Sequence, residues 1–537
     1  MTHCYFFKII ILQLPHELLV QIFKYIPDHL PLREVCKTFN EISCSTRLFK
    51  LQLKSQWNDS YTKFLDNDEI FHSMLKTQRR INSIEISCES LDRIEINSQQ
   101  IDRLAKVVQY FSVNLKHLEI SGNVLSFDIL KLLILMPNIE KLSLRNIGEM
   151  NDVIPSNFEL SLLHLKQFES MNCSINVLKC FDSLSNGVLH KIELVNKENF
   201  VECNQNIKLF KNQENLKEIV ATTNLVQHLS LHRTKLESMT LKGPKIPLAG
   251  IINGQCMMTK FASEGICEND LVLICNELRS LRQLEMSSSE SRSSEFAQIS
   301  KLTKLEKLKI SMTNTENSVS NESLSFLESK SLLDLDIFSY HNELLETTME
   351  SLGNNCPRLR KLKIYSRSSL NVINPIVNYF PYLTDLDLNG LTEKAENPFV
   401  FKCKSFHQNL KILKLVGLRT QCNDFGKLMN VLEYLEKLSF SMPVSSELLK
   451  LILKVQPNLK ILSLTPQWNL MTNEHKLTKE IVDVMKVYGM NLKVFKADFR
   501  FRDNDIELEK LNEEFKRHYS KVFINDVFAV VEWVMEK

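Results

Sequence analysis

The sequence predicts an α/β solenoid, with a parallel sheet on its concave side and helices on its convex side, preceded by a small helical module. Two observations predict the solenoid. A short apolar phrase recurs about every two dozen residues, and the segments between its copies carry helical patterns of apolar residues. A different pattern, near the N-terminus, predicts the helical module.

The recurring phrase is an apolar residue followed by apolar residues three and five positions later. Eight copies are complete: Leu115/Leu118/Ile120, Ile139/Leu142/Leu144, Leu305/Leu308/Ile310, Leu332/Leu335/Ile337, Leu359/Leu362/Ile364, Leu383/Leu386/Leu388, Leu410/Leu413/Leu415 and Leu459/Leu462/Leu464. Nine weaker copies start at Leu91, Leu165, Leu189, Leu216, Leu236, Met258, Leu281, Leu435 and Leu492. In an extended chain the last two apolar positions share one face, so stacked copies predict a parallel sheet with one covered face.

The segments that return one copy to the next predict helices. Residues 126–136 and 446–455 both carry apolar residues at helical spacing. Asn342 and Gly353 bracket a further predicted helix as its N-cap and its C-terminal glycine. Prolines precede four of the phrases by two residues, at Pro137, Pro357, Pro381 and Pro457. Because proline ends a helix and favours extended geometry before it, these positions predict helix-to-strand corners.

The period of the phrase resembles that of the leucine-rich repeat, which is about 20–29 residues long. Many such repeats place Asn or Cys three residues beyond the last apolar position, and Asn123 and Cys173 do so here. Ile147, Leu391 and Leu418 occupy the same position in other copies. We therefore expect most corners to be filled by apolar packing, and the curvature of the solenoid stays open.

A second pattern occupies residues 14–49. Pro15 opens a predicted helix, and its apolar residues cover more of the circumference than a surface helix needs: Leu18, Leu19, Ile22, Phe23 and Ile26. Either the first repeat or a partner protein must cover part of that face.

The order Leu-Pro-x-Glu-Leu-Leu, Ile-Phe-x-Tyr-Ile and Val-Cys-Lys-x-Phe in this segment resembles the F-box, a three-helix module that docks onto an adaptor of cullin-type ubiquitin ligases. The resemblance implies that ten residues bind the adaptor: Leu14, Pro15, Leu18, Leu19, Ile22, Phe23, Tyr25, Val35, Cys36 and Phe39. The stretch from Phe23 to Val35 is shorter than in the usual pattern, which predicts a clipped second helix.

Five regions follow from these patterns. They are an N-terminal tail (1–12), the F-box (13–52), a helical linker (53–88), the leucine-rich-repeat solenoid (89–500) and a C-terminal cap (501–537). Within the linker, Ile81, Ile84 and Ile86 leave open an extra or alternative first strand. In the last region, an apolar element that includes Val530 and Trp533 is expected to cover the open edge of the solenoid.

Composition narrows the classes of function. The 66 Lys and Arg residues nearly balance the 64 Asp and Glu residues, so no net field favours nucleic acid. The 13 cysteines include no C-x-x-C pair and predict reduced core thiols, hence a cytoplasmic or nuclear location. Lys8 interrupts the apolar N-terminal run, no small-residue cleavage site follows, and no stretch is long enough to span a bilayer.

Motifs for catalysis are absent from the sequence. It contains no G-x-x-x-x-G-K-[ST], G-x-G-x-x-G, H-E-x-x-H or G-x-S-x-G, and only 12 glycines. We therefore predict a protein that is not an enzyme, with no catalytic residues, no metal site and no cofactor.

The candidate binding surface is the set of outward positions, two, four and six residues after the start of each phrase. In six repeats these positions are Lys307, Lys309, Ser311; Asp334, Asp336, Phe338; Lys361, Lys363, Tyr365; Asp385, Asp387, Asn389; Ile412, Lys414, Val416; and Lys437, Ser439, Ser441. The alternating charges predict either a ladder that only neutralises the sheet or the frame of a binding site. Adjacent exposed aromatics favour binding, so the predicted substrate-binding residues are Asp334, Asp336, Phe338, Lys361, Lys363 and Tyr365.

Two functions are consistent with these features. The first is the substrate-recognition subunit of a cullin-type (SCF) ubiquitin ligase, which binds the adaptor, and through it a cullin, with the F-box and an unknown substrate protein with the repeats. The alternative is a leucine-rich-repeat scaffold without ligase association. Neither predicts a nucleic-acid or membrane partner.

Overall fold

The computed structural model divides the chain into two compact units, Met1–Lys242 and Gly243–Lys537. It describes residues 48–54, 80–88, 98–122, 124–125, 127–147, 149–150, 162–181, 184, 188–196, 209–210, 213–229, 231, 234–267, 269–288, 293–312, 324–339, 344–391, 401–402, 408–417, 425–441, 445–464, 479–499, 521–525 and 528–534.

The first unit is a parallel sheet with short helices between its strands. Its strands are β1 (Leu48–Lys54), β2 (Arg80–Cys88), β3 (His117–Gly122), β4 (Val124–Leu125), β5 (Lys141–Arg145), β6 (Glu149–Met150), β7 (Gln167–Met171), β8 (Lys191–Val195), β9 (Glu218–Thr222) and β10 (Ser238–Lys242). Its helices are α1 (Ser98–Phe111), α2 (Phe127–Ile134), α3 (Ile175–Lys179) and α4 (Thr223–Val226). The sheet runs β1-β2-β3-β5-β7-β8-β9-β10, and β4 pairs separately with β6.

The second unit repeats this architecture. Its strands are β11 (Lys260–Ser263), β12 (Gln283–Ser288), β13 (Lys307–Met312), β14 (Asp334–Ser339), β15 (Lys361–Ser366), β16 (Asp385–Asn389), β17 (Ile412–Val416), β18 (Lys437–Phe440), β19 (Ile461–Leu464), β20 (Val494–Phe499), β21 (Lys521–Asn525) and β22 (Phe528–Val534). Its helices are α5 (Ala249–Ile252), α6 (Asp270–Glu277), α7 (Ser293–Phe296), α8 (Glu346–Asn355), α9 (Ile373–Tyr379), α10 (Phe425–Val431), α11 (Ser446–Val455) and α12 (Lys479–Tyr488), with short 3₁₀ turns at Ala297–Lys301, Leu370–Val372 and Gly489–Asn491.

The strands of the second unit pair in chain order. β11 to β20 are parallel neighbours, each joined to the next. The C-terminal hairpin ends the sheet, because β22 pairs antiparallel with β20 and β21 pairs antiparallel with β22. The last apolar segment of the chain thus occupies a backbone edge that would otherwise be unpaired.

The recurring phrase builds the core, as predicted. The three apolar residues of every complete copy are buried, for example Leu332, Leu335 and Ile337 around β14. Every weaker copy except that at Leu91, which lies outside the described residues, also precedes or enters a strand. The structure therefore confirms an α/β repeat fold of the leucine-rich type, in which parallel strands alternate with helices or turns.

The sheet begins earlier than the boundary at residue 89 that the sequence analysis placed. β2, in the predicted helical linker, is the strand of Ile81, Ile84 and Ile86, and it pairs with β3. β1 lies before it, where Leu48, Leu51 and Leu53 have the same apolar spacing. Both ends of the predicted helical linker (53–88) are thus strands, and its residues 55–79 lie outside the described part of the chain.

The proline corners have a common hydrogen-bond pattern. The residue before each proline lies just after the helix, and its carbonyl accepts a hydrogen bond from the N–H of the first apolar residue of the phrase, as in Cys356 to Leu359 at 3.2 Å and Phe380 to Leu383 at 3.1 Å. This turn connects the end of the helix to the start of the next strand. The predicted helix at 446–455 has the bounds of α11, and Ser445 caps it by accepting from the N–H of Leu448 at 3.2 Å.

Asparagines stabilise four corners, two of which are the proline corners at Pro137 and Pro457, and no sequence pattern above predicts this. At four corners an Asn just before the phrase donates its side-chain N–H to a carbonyl of the preceding repeat: Asn138 to Val113, Asn409 to Pro381, Asn458 to Glu433 and Asn491 to Pro457, at 2.8–3.4 Å. The expected Asn position after the strand is mostly apolar, and Ile147 and Leu391 are buried there as predicted. In these repeats the hydrogen-bonding Asn side chain therefore lies before the strand instead of after it.

Gly353 does not end a helix, contrary to the prediction. It lies inside α8, and a Cβ at this position would come within 2.5 Å of Tyr379 Cβ and 2.9 Å of its carbonyl oxygen. The glycine therefore serves the close approach of α8 to α9. The predicted N-cap Asn342 lies outside the described residues, and Leu345 precedes the helix.

Candidate functional site

The open face of the second unit is formed by the side chains that alternate with the buried residues of its strands. Three rows cross the strands. The first row is Lys307, Asp334, Lys361, Asp385, Ile412 and Lys437; the middle row is Glu285, Lys309, Asp336, Lys363, Asp387, Lys414 and Ser439; the last row is Ser311, Phe338, Tyr365, Asn389 and Val416. Neighbours within a row are direct cross-strand partners, so the predicted register is correct.

The middle row alternates in charge along its length, and its charges form pairs. Lys363 Nζ lies 3.5 Å from Asp336 Oδ2, and Lys414 Nζ lies 3.0 Å from Asp387 Oδ2. Lys309 pairs in the same manner with Glu285 on β12. Each lysine thus neutralises the acid on the strand before it, which is the ladder that the sequence predicts.

The ladder leaves some carboxylate oxygens without hydrogen bonds. The Oδ1 atoms of Asp334, Asp336 and Asp387 are buried and have no hydrogen-bond partner within the described residues. Burial raises the pKa of Asp336, although the nearby Lys363 opposes the shift. The pKa of Lys363 is also raised: burial would lower it, but the carboxylates of Asp336 and Asp334 outweigh that effect.

Phe338 and Tyr365 form a stacked pair in the last row. Their ring centroids are 4.4 Å apart and their planes differ by 4°, and both side chains are half-buried. Lys309 Nζ lies 5.5 Å from the centroid of Phe338, at the end of the stack away from Tyr365. At the other end, the Tyr365 hydroxyl donates to Asp387 Oδ2 at 3.5 Å. Burial, together with the Asp387 carboxylate, raises the pKa of Tyr365.

The structure brings together all six predicted substrate-binding residues, on the neighbouring strands β14 and β15. Two other residues predicted to lie on the open face are buried: Ser439, which occupies the middle row by its strand register, and Ser441. The hydroxyl of Ser441 accepts a hydrogen bond from the N–H of Gly417 at 2.8 Å, which draws this side chain into the end of the strand. Whether the six residues bind a partner stays a prediction.

The ten predicted adaptor-binding residues, from Leu14 to Phe39, lie outside the described residues.

Among the residues that the structure does describe, no group of His, Cys, Asp or Glu is arranged to hold a metal ion. None of the helices in the same part of the chain combines the length and apolarity needed to cross a membrane. Cys275 and Cys356 are buried, and burial raises the pKa of each thiol to about 12.

Comparison with known proteins found one matching family model. Residues 11–52 match the family model described as F-box-like. No curated protein matches the chain. Among solved structures, the mouse RP105/MD-1 complex has 13% identity and a TM-score of 0.43 over 81% of this chain and 82% of that one. A protein from Bacteroides fragilis has 13% identity and a TM-score of 0.31 over 50% of this chain and 77% of that one.

The fold and the open face define a protein-interaction module built from leucine-rich repeats. With the match at residues 11–52, the chain combines an F-box-like segment with those repeats.

Proposed function

We propose that this protein is the substrate-recognition subunit of a cullin-type (SCF) ubiquitin ligase. The F-box-like segment binds the adaptor, and through it a cullin, while the open face of the second unit binds the target protein. The match of residues 11–52 to the F-box-like family is the observation that carries the proposal.

The proposed mechanism requires no bond chemistry from this chain. Holding a target near a ubiquitin-charged enzyme raises the effective concentration of its lysines, which is enough to accelerate transfer. The protein is therefore proposed to be a non-enzymatic receptor that acts in the cytoplasm or nucleus.

The junction between the two regions supports this role. The F-box-like match ends at residue 52, and β1 spans Leu48–Lys54, so the end of the matched segment is already a strand of the repeat sheet. β1 pairs with β2 along its whole length. The last residues of the matched segment therefore belong to the repeat sheet of the first unit, so the two parts of the chain are joined without an intervening linker.

The experiment is co-purification of the full-length chain with the F-box-binding adaptor. Replacement of both Ile22 and Phe23 by Asp should abolish co-purification, because unpaired charges buried at an interface cost several kcal/mol each. The melting temperature of the repeats should not change. A folded double variant that retains the adaptor, or a wild-type chain that never binds it, would contradict the proposal.

The alternative is a leucine-rich-repeat scaffold without ligase association. It is favoured if the open face binds a protein while the wild-type chain fails to retain the adaptor.

A further inference from the structure

The sequence contains three Asn-Gly pairs, at residues 186–187, 253–254 and 389–390, and the structure describes the last two. This pair is prone to deamidation, because glycine places no side chain beside the backbone nitrogen that attacks the asparagine amide and leaves the backbone free to turn toward it. Whether the nitrogen reacts in a folded protein depends on its hydrogen bonds and on the packing of the turn. The two described pairs differ in both respects.

Asn253 and Gly254 form the exposed centre of the turn between α5 and β11. The N–H of Gln255 donates to the carbonyl of Ile252 at 3.0 Å, which closes the turn. Asn253 has φ −58° and ψ 128°, and Gly254 has φ +78°, which are the angles of a type II turn. The N–H of Gly254 has no hydrogen-bond acceptor among the described residues. Apart from its chain neighbours, no atom lies within 4 Å of the position that a Cβ would take on Gly254, so this backbone has room to rotate.

Asn389 and Gly390, at the end of β16, are held in place. The N–H of Gly390 donates to the carbonyl of Val416 at 2.9 Å, and the N–H of Leu391 donates to the same carbonyl at 3.1 Å. A Cβ on Gly390 would come within 2.6 Å of the carbonyl oxygen of Ser366. The nitrogen that would attack Asn389 is therefore engaged in a hydrogen bond, and its backbone is packed against the neighbouring strand connections.

We infer that Asn253 is a site of spontaneous deamidation and that the fold protects Asn389 from the same reaction. The nitrogen of Gly254 forms a bond to Cγ of Asn253, and the side-chain nitrogen leaves as ammonia, taking up the proton that the Gly254 nitrogen gives up. The product is a cyclic succinimide. Water then adds to either of its two carbonyls and opens the ring, which leaves aspartate or isoaspartate at position 253. The sum is the hydrolysis of one amide, so no oxidant or reductant takes part.

The reaction changes both the charge and the backbone of the turn. A neutral amide becomes a carboxylate, and isoaspartate adds one methylene group to the main chain between Ile252 and Gln255. Gln255 is buried, and its carbonyl accepts from the N–H of Met258 at 3.0 Å, just before β11. We therefore expect the modification to loosen the connection between α5 and β11. This inference is independent of the proposed ligase role.

The test is peptide mapping of the full-length chain after incubation in mildly alkaline buffer made with heavy-oxygen water, so that only ring opening during the incubation introduces the label. Tryptic peptides 246–260 and 368–394 contain Asn253 and Asn389, and fragment ions locate the label within each. We expect Asn253 to be labelled about tenfold faster than Asn389, because a backbone hydrogen bond must break and its surroundings must open before the Gly390 nitrogen can attack. Asn253→Gln, whose longer side chain disfavours ring closure, should leave peptide 246–260 unlabelled.

The matched control is the same chain unfolded in guanidinium chloride, in which the two pairs should react at similar rates because both nitrogens are exposed. Equal rates at Asn253 and Asn389 in the folded chain, or no label at Asn253 in the folded chain, would overturn the inference. A difference between the two sites that persists after unfolding would also overturn it, since the flanking residues rather than the fold would then be the cause.

Discussion

The two units share one strand phrase but neutralise their open faces differently. In the first unit, glutamates occupy the middle outward position of β2, β3, β7 and β8: Glu85, Glu119, Glu169 and Glu193. Their cations come from other positions on the strands, as in Lys141 to Glu169 at 2.5 Å and Arg145 to Glu119 at 3.0 Å. In the second unit, lysines and acids alternate within the middle row itself.

The difference decides which positions are left for recognition. Diagonal pairing in the first unit uses Arg145, the outward residue at the end of β5, to neutralise Glu119. Pairing along the middle row in the second unit leaves its last row without any charged residue, from Ser311 to Val416. Aromatic rings can stack there without displacing an ion pair.

The largest expected effect is the loss of stability when a buried leucine is replaced. It tests whether the two units differ only on their open faces. Leu142 on β5 and Leu362 on β15 occupy the same inward position and are fully buried. Replacement of either by Ala should lower the free energy of unfolding by about 2–5 kcal/mol, because both the buried surface and the cavity contribute. Urea denaturation followed by circular dichroism measures this loss.

The matched controls are Phe338→Ala and Tyr365→Ala, whose half-buried rings should cost about 1 kcal/mol or less each. If an outward aromatic costs as much as an inward leucine, the open face belongs to the core and the comparison between the faces fails. If the two units unfold in separate transitions, each leucine variant should shift the transition of its own unit.

The covered face of the sheet is more predictable from the sequence than the open face. A period-two apolar pattern fixes which side of a strand is buried, so Leu335, Ile337 and their equivalents were correctly assigned, and the alternating charges followed from the same register. The stacking of Phe338 on Tyr365 was predictable as adjacency, but the cation over Phe338 depends on a diagonal contact from β13 that sequence spacing does not encode.

The errors have specific physical causes. Glycine commonly follows a helix end, so the local sequence predicts that role for Gly353. In the structure it permits a close helix contact with Tyr379, which depends on tertiary structure. Counting from Leu435 predicts an outward Ser441, but this side chain is buried beyond the strand end, where its hydroxyl accepts from the N–H of Gly417. Local patterns predict periodic elements well and their ends less well.

A smaller effect is expected from breaking the alternation itself. Lys363 lies between Asp336 and Asp387 in the middle row, so Lys363→Glu would place three acids side by side. Like charges directly opposite each other are unfavourable, and we expect a loss of about 1–2 kcal/mol at low ionic strength. Added salt should recover part of the loss by screening.

Lys437→Glu is the control for that reversal. Lys437 lies in the first row between Ile412 and Ile461, without an acidic cross-strand neighbour, and should tolerate the change at any salt concentration. Chemical denaturation at two salt concentrations makes the comparison. Equal losses in both variants would mean that net charge, rather than the order of charges in the row, governs the stability of the face.

The smallest expected effects concern the carboxylates of Glu140 and Asp336, whose contributions to stability should change with pH in opposite ways. Glu140, in the first unit, accepts hydrogen bonds from Lys116 and Lys166, and these lower its pKa to about 2 from an ordinary 4.5. Its stabilisation is complete above pH 4.5 and is lost as the pH falls toward 2. Because the pair is exposed, Glu140→Gln should cost only about 0.5 kcal/mol at neutral pH, and this cost should disappear near pH 2.

Asp336, in the second unit, should behave in the opposite way. Burial raises its pKa above the ordinary 3.8, and its side chain is 20% exposed against 42% for its partner Lys363, so the cost of burial dominates on the carboxylate. The ionised form is therefore slightly unfavourable in the folded protein, and acid removes that penalty. Asp336→Asn should be neutral or weakly stabilising at neutral pH, with the difference vanishing below pH 3.8. Urea unfolding across this pH range measures both variants, and a clear loss of stability in Asp336→Asn at neutral pH would show that attraction to Lys363 outweighs burial at this position.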